Sequence, residues 1–168
     1  MKKILICLLL AAMVFSLVAC KDNNTQSGEE DKGYTFTSGT TKIAIDDDVA
    51  PVLAALGEWR DYDDRPSCGF PGLEKFYIYG GFEINTYPQG EKDFVYMVRL
   101  YDDTVVTEEG IRIGSTKEAV IEAYGTPDKQ DETLLQYDTN KMFLQFLLSD
   151  GIVTTVYYLH PKALESES

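Results

Sequence analysis

The chain has 168 residues, with 15 basic and 28 acidic side chains and a formal charge of −13. That length holds one domain of ordinary size, and 44% hydrophobic residues make the composition globular rather than disordered. The acidity speaks against a nucleic-acid partner, because little would neutralise phosphates, and one His with three Cys leaves few ligands for a transition metal.

Lys2 and Lys3 precede an uncharged apolar run from Ile4 to Val18, too short for a comfortable membrane span. The run ends in Leu17-Val18-Ala19-Cys20, and polar sequence begins at Lys21. Two aliphatic residues, a small residue and a Cys resemble the lipobox of bacterial lipoproteins. The resemblance implies removal of residues 1–19 and a diacylglycerol thioether on Cys20. The protein would then meet the membrane through acyl chains on Cys20, since two chains anchor stably where one binds only marginally. The implied location is the cell membrane, lipid-anchored on its extracytoplasmic face.

Residues 20–33 comprise Cys20 and the stretch KDNNTQSGEEDKG, which has no large apolar residue and reads as a flexible tether. Cleavage removes two lysines and no acid, so the mature chain is more acidic still. It would stand off an anionic bilayer rather than lie on it. Of the three cysteines, Cys7 leaves with the leader and Cys20 is lipidated. Cys68 alone remains, which leaves no intrachain disulfide in the domain and reads as either a buried apolar residue or a reactive thiol.

Residues 34–168 contain an internal similarity. IAIDDDVAPVLAALG at 43–57 and IRIGSTKEAVIEAYG at 111–125 align at a constant shift of 68, with 5 identities in 15 positions. Each reads as a short extended Ile-x-Ile followed by a helix. Ser115 is expected to cap the second helix, with Glu118 reaching back, and Asp47 holds the matching position in the first. Gly57 and Gly125 fall where a helix end takes a positive-φ residue. Three strand-like runs follow each helix: 73–79, 82–87 and 94–101, then 134–138, 142–148 and 152–159. Gly80-Gly81 marks a tight hairpin, and Glu58 to Gly72 reads as a longer loop. The expected fold class is therefore α+β: two tandem helix–three-strand repeats, about 43–102 and 111–160. They would form one antiparallel sheet with the helices packed on one face and the other face open.

The Ile-x-Ile-Gly-Ser start, the helix ending in Tyr-Gly-x-Pro and the meander resemble the β-lactamase-inhibitory-protein-like repeat. The same module occurs in the small SmpA/OmlA lipoproteins of outer-membrane assembly. Residues 111–159 carry the likeness best. The first copy departs from it, with Asp46 in place of Gly114 and Trp59 in place of Pro127. The resemblance implies a non-enzymatic, extracytoplasmic protein-binding module whose partner is another envelope protein. No binding residue carries over from the family.

Strand alternation divides the sheet faces. Phe76, Ile78, Phe82, Ile84, Phe94, Val98 and Leu100 fall on one parity and are expected in the core. Tyr77, Tyr79, Asn85, Tyr87 and Arg99 fall on the other, and aligning the last strands adds Tyr157. A Tyr-rich face with an Arg has the composition of a recognition surface, and Trp59 in the adjacent loop would extend it. Stacking of a cell-wall glycan or small ligand on these aromatics is the alternative. Catalysis would need the pair Cys68 and His160, for which no third, orienting group is evident, so the chain reads as no enzyme. Asp46-Asp47-Asp48 and Asp61-Tyr62-Asp63-Asp64 lack the loop glycine and distant Glu of an EF-hand. The sequence holds no GxGxxG, P-loop, GxSxG or HExxH motif and calls for no cofactor or metal.

Overall fold

The computed structural model describes residues 33–67 and 69–163. The leader, Cys20, nearly all of the tether and Cys68 lie outside the described residues. Ten strands, two α-helices and a final 3-10 turn follow in the order β1 (Phe36–Ser38), β2 (Thr41–Ile43), α1 (Val49–Leu56), β3 (Asp61–Pro66), β4 (Leu73–Ile78), β5 (Phe82–Gln89), β6 (Lys92–Leu100), α2 (Lys117–Tyr124), β7 (Lys129–Gln130), β8 (Leu134–Asp138), β9 (Phe143–Ser149), β10 (Ile152–Leu159) and Pro161–Ala163. Eight strands form one antiparallel sheet in the order β3-β4-β5-β6-β10-β9-β8-β7, and β1 and β2 form a separate hairpin.

This corrects the expected α+β class of two helix–three-strand repeats. The fold is mostly β, with two helices of eight residues each among the described residues. Two strands of the large sheet lie outside the expected meanders. β3 occupies the stretch read as a loop, and β7 precedes β8. What does recur at the shift of 68 is a capped turn. Asp48 and Thr116 each cap a helix, and each forms a bridge to a sheet strand, at Phe94 and Ile152.

The caps sit one residue later than the sequence pattern indicated. Asp48 accepts from the Ala50 N–H at 3.1 Å and Thr116 from the Ala119 N–H at 3.2 Å. Asp47 and Ser115 instead close the turns that lead into the helices, accepting from the N–H groups of Ala44 (2.8 Å) and Arg112 (3.1 Å). Those turns are fixed from the other side by the sheet: Val95 exchanges backbone bonds with Asp46 and Asp47, and Val153 with Gly114 and Ser115. Gly57 and Gly125 end the helices at φ 80°, ψ −155°, a conformation open essentially to glycine alone.

One sheet face carries the core. Tyr77, Ile84, Val98, Tyr158, Leu144 and Tyr137 stand opposite one another across six strands, with Phe82, Leu100, Val156, Phe146 and Leu135 in the next row. Val49 and Val52 of α1, Val120 of α2, and Phe36 and Ile43 of the β1–β2 hairpin pack on this face. Phe36 meets Phe82 edge-on at 4.9 Å. Each fully buried aliphatic or aromatic side chain contributes about 1.5–3 kcal/mol. The two edges are protected by different means. β7 has only two residues, while β3 is longer but carries three aspartates and ends in a proline.

Candidate functional site

The turn between β4 and β5 decides which side chains reach the uncovered face. Gly80-Gly81 forms a two-residue loop, with the Tyr79 N–H donating to the Phe82 carbonyl at 2.9 Å. Odd residues of β4 therefore share a face with even residues of β5, so Tyr77 stands opposite Ile84 and Phe76 opposite Asn85. The expected parity is reversed in this strand. Tyr77 and Tyr79 are core residues, 8% and 7% exposed. Tyr79 lies parallel to Phe82 at 5.0 Å, and its hydroxyl donates to the Gly57 carbonyl at the end of α1. Tyr137 does the same for Gly125 at the end of α2, at 3.1 Å. Burial raises the pKa of both Tyr77 and Tyr79.

A bulge in β6 produces a second reversal. Asn85 pairs with Met97 but Thr86 pairs with Val95, so Tyr96 is the extra residue. Val95 thereby joins the core and Phe94, expected there, turns to the uncovered face opposite Tyr87.

The uncovered face carries a polar row across the sheet. Glu83 on β5 stands opposite Arg99 on β6, Arg99 opposite Tyr157 on β10, Tyr157 opposite Gln145 on β9, and Gln145 opposite Gln136 on β8. Directly opposed residues of antiparallel strands share a face and touch. The Arg99 guanidinium lies 5.9 Å from the Tyr157 ring and 6.0 Å from that of Tyr101, and 3.9 Å from the Glu83 carboxylate. Gln145 donates to the Gln136 carbonyl at 2.7 Å, and Gln136 donates to Asp138 at 2.6 Å. The neighbouring row is Phe76, Asn85, Met97, Leu159 and Phe143. Asn85 is only 3% exposed and its Oδ1 has no hydrogen-bond partner; the Nε of Arg99 has none either. Burial lifts the Glu83 pKa above the ordinary glutamate value, against the pull of Arg99 and Arg65.

The seven expected contact residues thus separate into four places, the first being the core that holds Tyr77 and Tyr79. Asn85, Arg99 and Tyr157 share the polar face, which also contains Glu83, Gln136 and Gln145. Tyr87 lies at one end of the same face in a cluster with Phe70, Tyr96 and His160. Its ring stacks on Phe70 at 4.4 Å, and its hydroxyl donates to Asp46 at 2.8 Å. Burial, then the Asp46 bond, holds that hydroxyl well above the usual tyrosine range. Trp59 is at the β3 edge, 5.1 Å from Tyr77. Sequence reasoning missed Glu83, Gln136 and Gln145. They alternate with core residues in β5, β8 and β9, so strand alternation in a correct register would have found them.

His160 packs among Phe70, Tyr87 and Tyr96, with its Nε2 3.5 Å from Asp46. A cavity of about 330 Å³ beside it is lined by Asp46, Asp47, Asn140 and Lys141, among others. Cys68, the thiol that catalysis would have to pair with it, lies outside the described residues. Among the described residues no group of His, Cys, Asp and Glu is arranged to hold a metal.

No protein-family model matches the sequence, and no curated protein matches it. Solved structures match in fold. An extracellular protein containing a SCP domain from Bacillus anthracis aligns with TM-score 0.58 at 12% identity, over 77% of this chain and 49% of that one. A cysteine-rich secretory protein from Staphylococcus aureus aligns with TM-score 0.51 at 12% identity, over 71% and 44%. This chain spans about half the length of those two proteins. A DUF4309 family protein from Bacillus subtilis is 20% identical with TM-score 0.41, over 67% and 78%. The first two are described as extracellular and secretory. Among the described residues no helix is long and apolar enough to cross a membrane.

Proposed function

We propose that this protein is a lipid-anchored extracytoplasmic module that binds another envelope protein through the polar face of its sheet. The observation that carries the reading is the row Glu83–Arg99–Tyr157–Gln145–Gln136 together with the unpartnered atoms beside and within it. A buried polar group without a partner costs about 1–3 kcal/mol. Asn85 Oδ1 and Arg99 Nε are two such atoms on this side of the sheet, both closed off from solvent, and a partner that displaces the side chains over them while supplying a donor to the first and an acceptor to the second recovers that free energy. Arg and Tyr are the residue types that dominate interface energetics. The Gln145–Gln136–Asp138 chain holds its donors and acceptors in fixed positions, which lowers the ordering cost of binding. An acyl anchor on Cys20 would confine module and partner to one plane, where modest affinity is enough.

The test is in-cell photo-crosslinking of the full-length protein, with the reactive residue at Tyr157 or Met97 and a control at Glu122 on the exposed side of α2. One discrete protein adduct from the sheet positions, absent from the control and lost with Arg99→Glu, is the expected result. Equal adducts from all positions, or adducts from Glu122 alone, would contradict the face. No protein adduct at any position would transfer the reading to a glycan or small ligand. A Cys20→Ala variant is expected to leave the membrane fraction, and retention there would contradict the anchor.

A further inference from the structure

Strand β3 is the outermost strand of the large sheet, and all six of its residues are exposed. A bare edge of that length offers alternate backbone N–H and C=O groups to another chain. Its side chains determine which chain. Asp61, Asp63 and Arg65 point to the polar side of the sheet, while Tyr62 and Asp64 share the core side with Tyr77 and Lys75. The one cation, Arg65, is drawn over the Phe76 ring at 4.0 Å, so the edge presents three carboxylates. Three like charges repel a second copy of the same edge and penalise acidic strands. They favour a basic one, so the device that prevents self-association also selects the partner.

Two further features lie on this edge. Trp59 and Tyr62 are the most exposed aromatic rings among the described residues, at 44% and 39%. They stand 6.2 Å apart on the buried ring of Tyr77, which meets them at 5.1 and 5.3 Å and fixes their orientation. The Tyr62 hydroxyl donates to Asp64 at 2.9 Å, placing a carboxylate at the ring edge. A cavity of about 300 Å³ opens beside Glu58 and Trp59. Rings flanked by carboxylates suit a Lys or Arg side chain, through cation–π attraction and ion pairing together. The Tyr62 N–H donates to the Asp61 carboxylate at 2.9 Å. An incoming carbonyl can take that N–H and release the carboxylate to a cation on the ligand.

We propose that the β3 edge receives an extended basic segment of a partner protein as an added strand, with Trp59 and Tyr62 gripping one of its Lys or Arg side chains. This surface is separate from the polar face, and the inference stands without it.

Trp59 is the single tryptophan of the chain, so its emission reports on this edge alone. The full-length protein in detergent is titrated with a short alternating Lys-Val peptide. The comparisons are the Glu-Val counterpart, a Lys-Val peptide N-methylated at alternate residues, and a chitin oligosaccharide. The expected result is a saturable emission change with the Lys-Val peptide, absent with the Glu-Val and N-methylated ones and weakened by salt. Combined Asp61→Asn, Asp63→Asn and Asp64→Asn should weaken it about tenfold, the sum of three exposed ion pairs, whereas Arg99→Glu should leave it unchanged. A response indifferent to N-methylation would overturn strand addition. A response to the oligosaccharide with none to the peptide would make the rings a sugar platform and overturn the inference.

Discussion

Glu83 faces Arg99 with 15% of its side chain exposed, and burial raises its pKa more than Arg99 and Arg65 lower it. The folded state therefore holds the Glu83 proton to higher pH than the unfolded chain does. Its contribution to stability is fully present below the unfolded value and is lost as pH rises through the folded one. Glu83→Gln should accordingly raise the thermal midpoint near pH 7 relative to the parent, with the gain shrinking toward about pH 4, below the ordinary glutamate value. A gain independent of pH would show that the carboxylate is not held against burial. The same residue illustrates why sequence reading reached only part of this site. Arg99 and Tyr157 were legible because Arg and Tyr stand out in a strand. Glu83, Gln136 and Gln145 have no such signature, and only register brings them into one row. Asn85 fell on the correct parity, yet its burial and its unpartnered Oδ1 are properties of packing that no alternation pattern contains.

At the scale of elements, the two helices depend on their ends. Each has eight residues, short of the length at which a helix stands alone in water. Thr116→Ala removes the acceptor for the Ala119 N–H and should cost about 1 kcal/mol. Gly125→Ala should cost about 1–3 kcal/mol. A Cβ there would meet open space, so the whole loss comes from the backbone at φ 80°. Chemical denaturation of both variants checks this, and a neutral Gly125→Ala would contradict the strained turn. The central strands were legible from their alternation and turns to within two residues, apart from the bulge in β6 that turns Phe94 outward and the reversed face of β4. That face was misread because β4 is aromatic on both parities, at Phe76 and Tyr77, so only the two-residue Gly80-Gly81 turn distinguishes them. β3 reads as a loop in the sequence because Asp61-Tyr62-Asp63-Asp64 is poor in strand formers. It pairs with β4 along its whole length nonetheless, and its composition suits a solvent-exposed edge.

For the whole molecule, the sheet divides the protein into two unlike sides. One is a continuous apolar core beneath the helices and the β1–β2 hairpin. The other is a polar and aromatic face on which Asn85, Gln136 and Gln145 are buried, Phe70 packs on Tyr87 at one end, and Met97, Arg99 and Tyr157 are half-exposed. The fold matches extracellular and secretory proteins at 12% identity, so architecture is shared where side chains are not. Specific function must then come from the uncovered face and the edges. The most direct test is radical footprinting of the full-length protein in intact cells against the purified protein. Met97 and Tyr157, both half-buried on the polar face, would be compared with Val106, an exposed apolar residue in the connection between β6 and α2. Protection of Met97 and Tyr157 in cells, with Val106 unchanged, is the predicted result. Equal labelling of Met97 and Tyr157 in cells and in the purified protein would contradict a partner on this face.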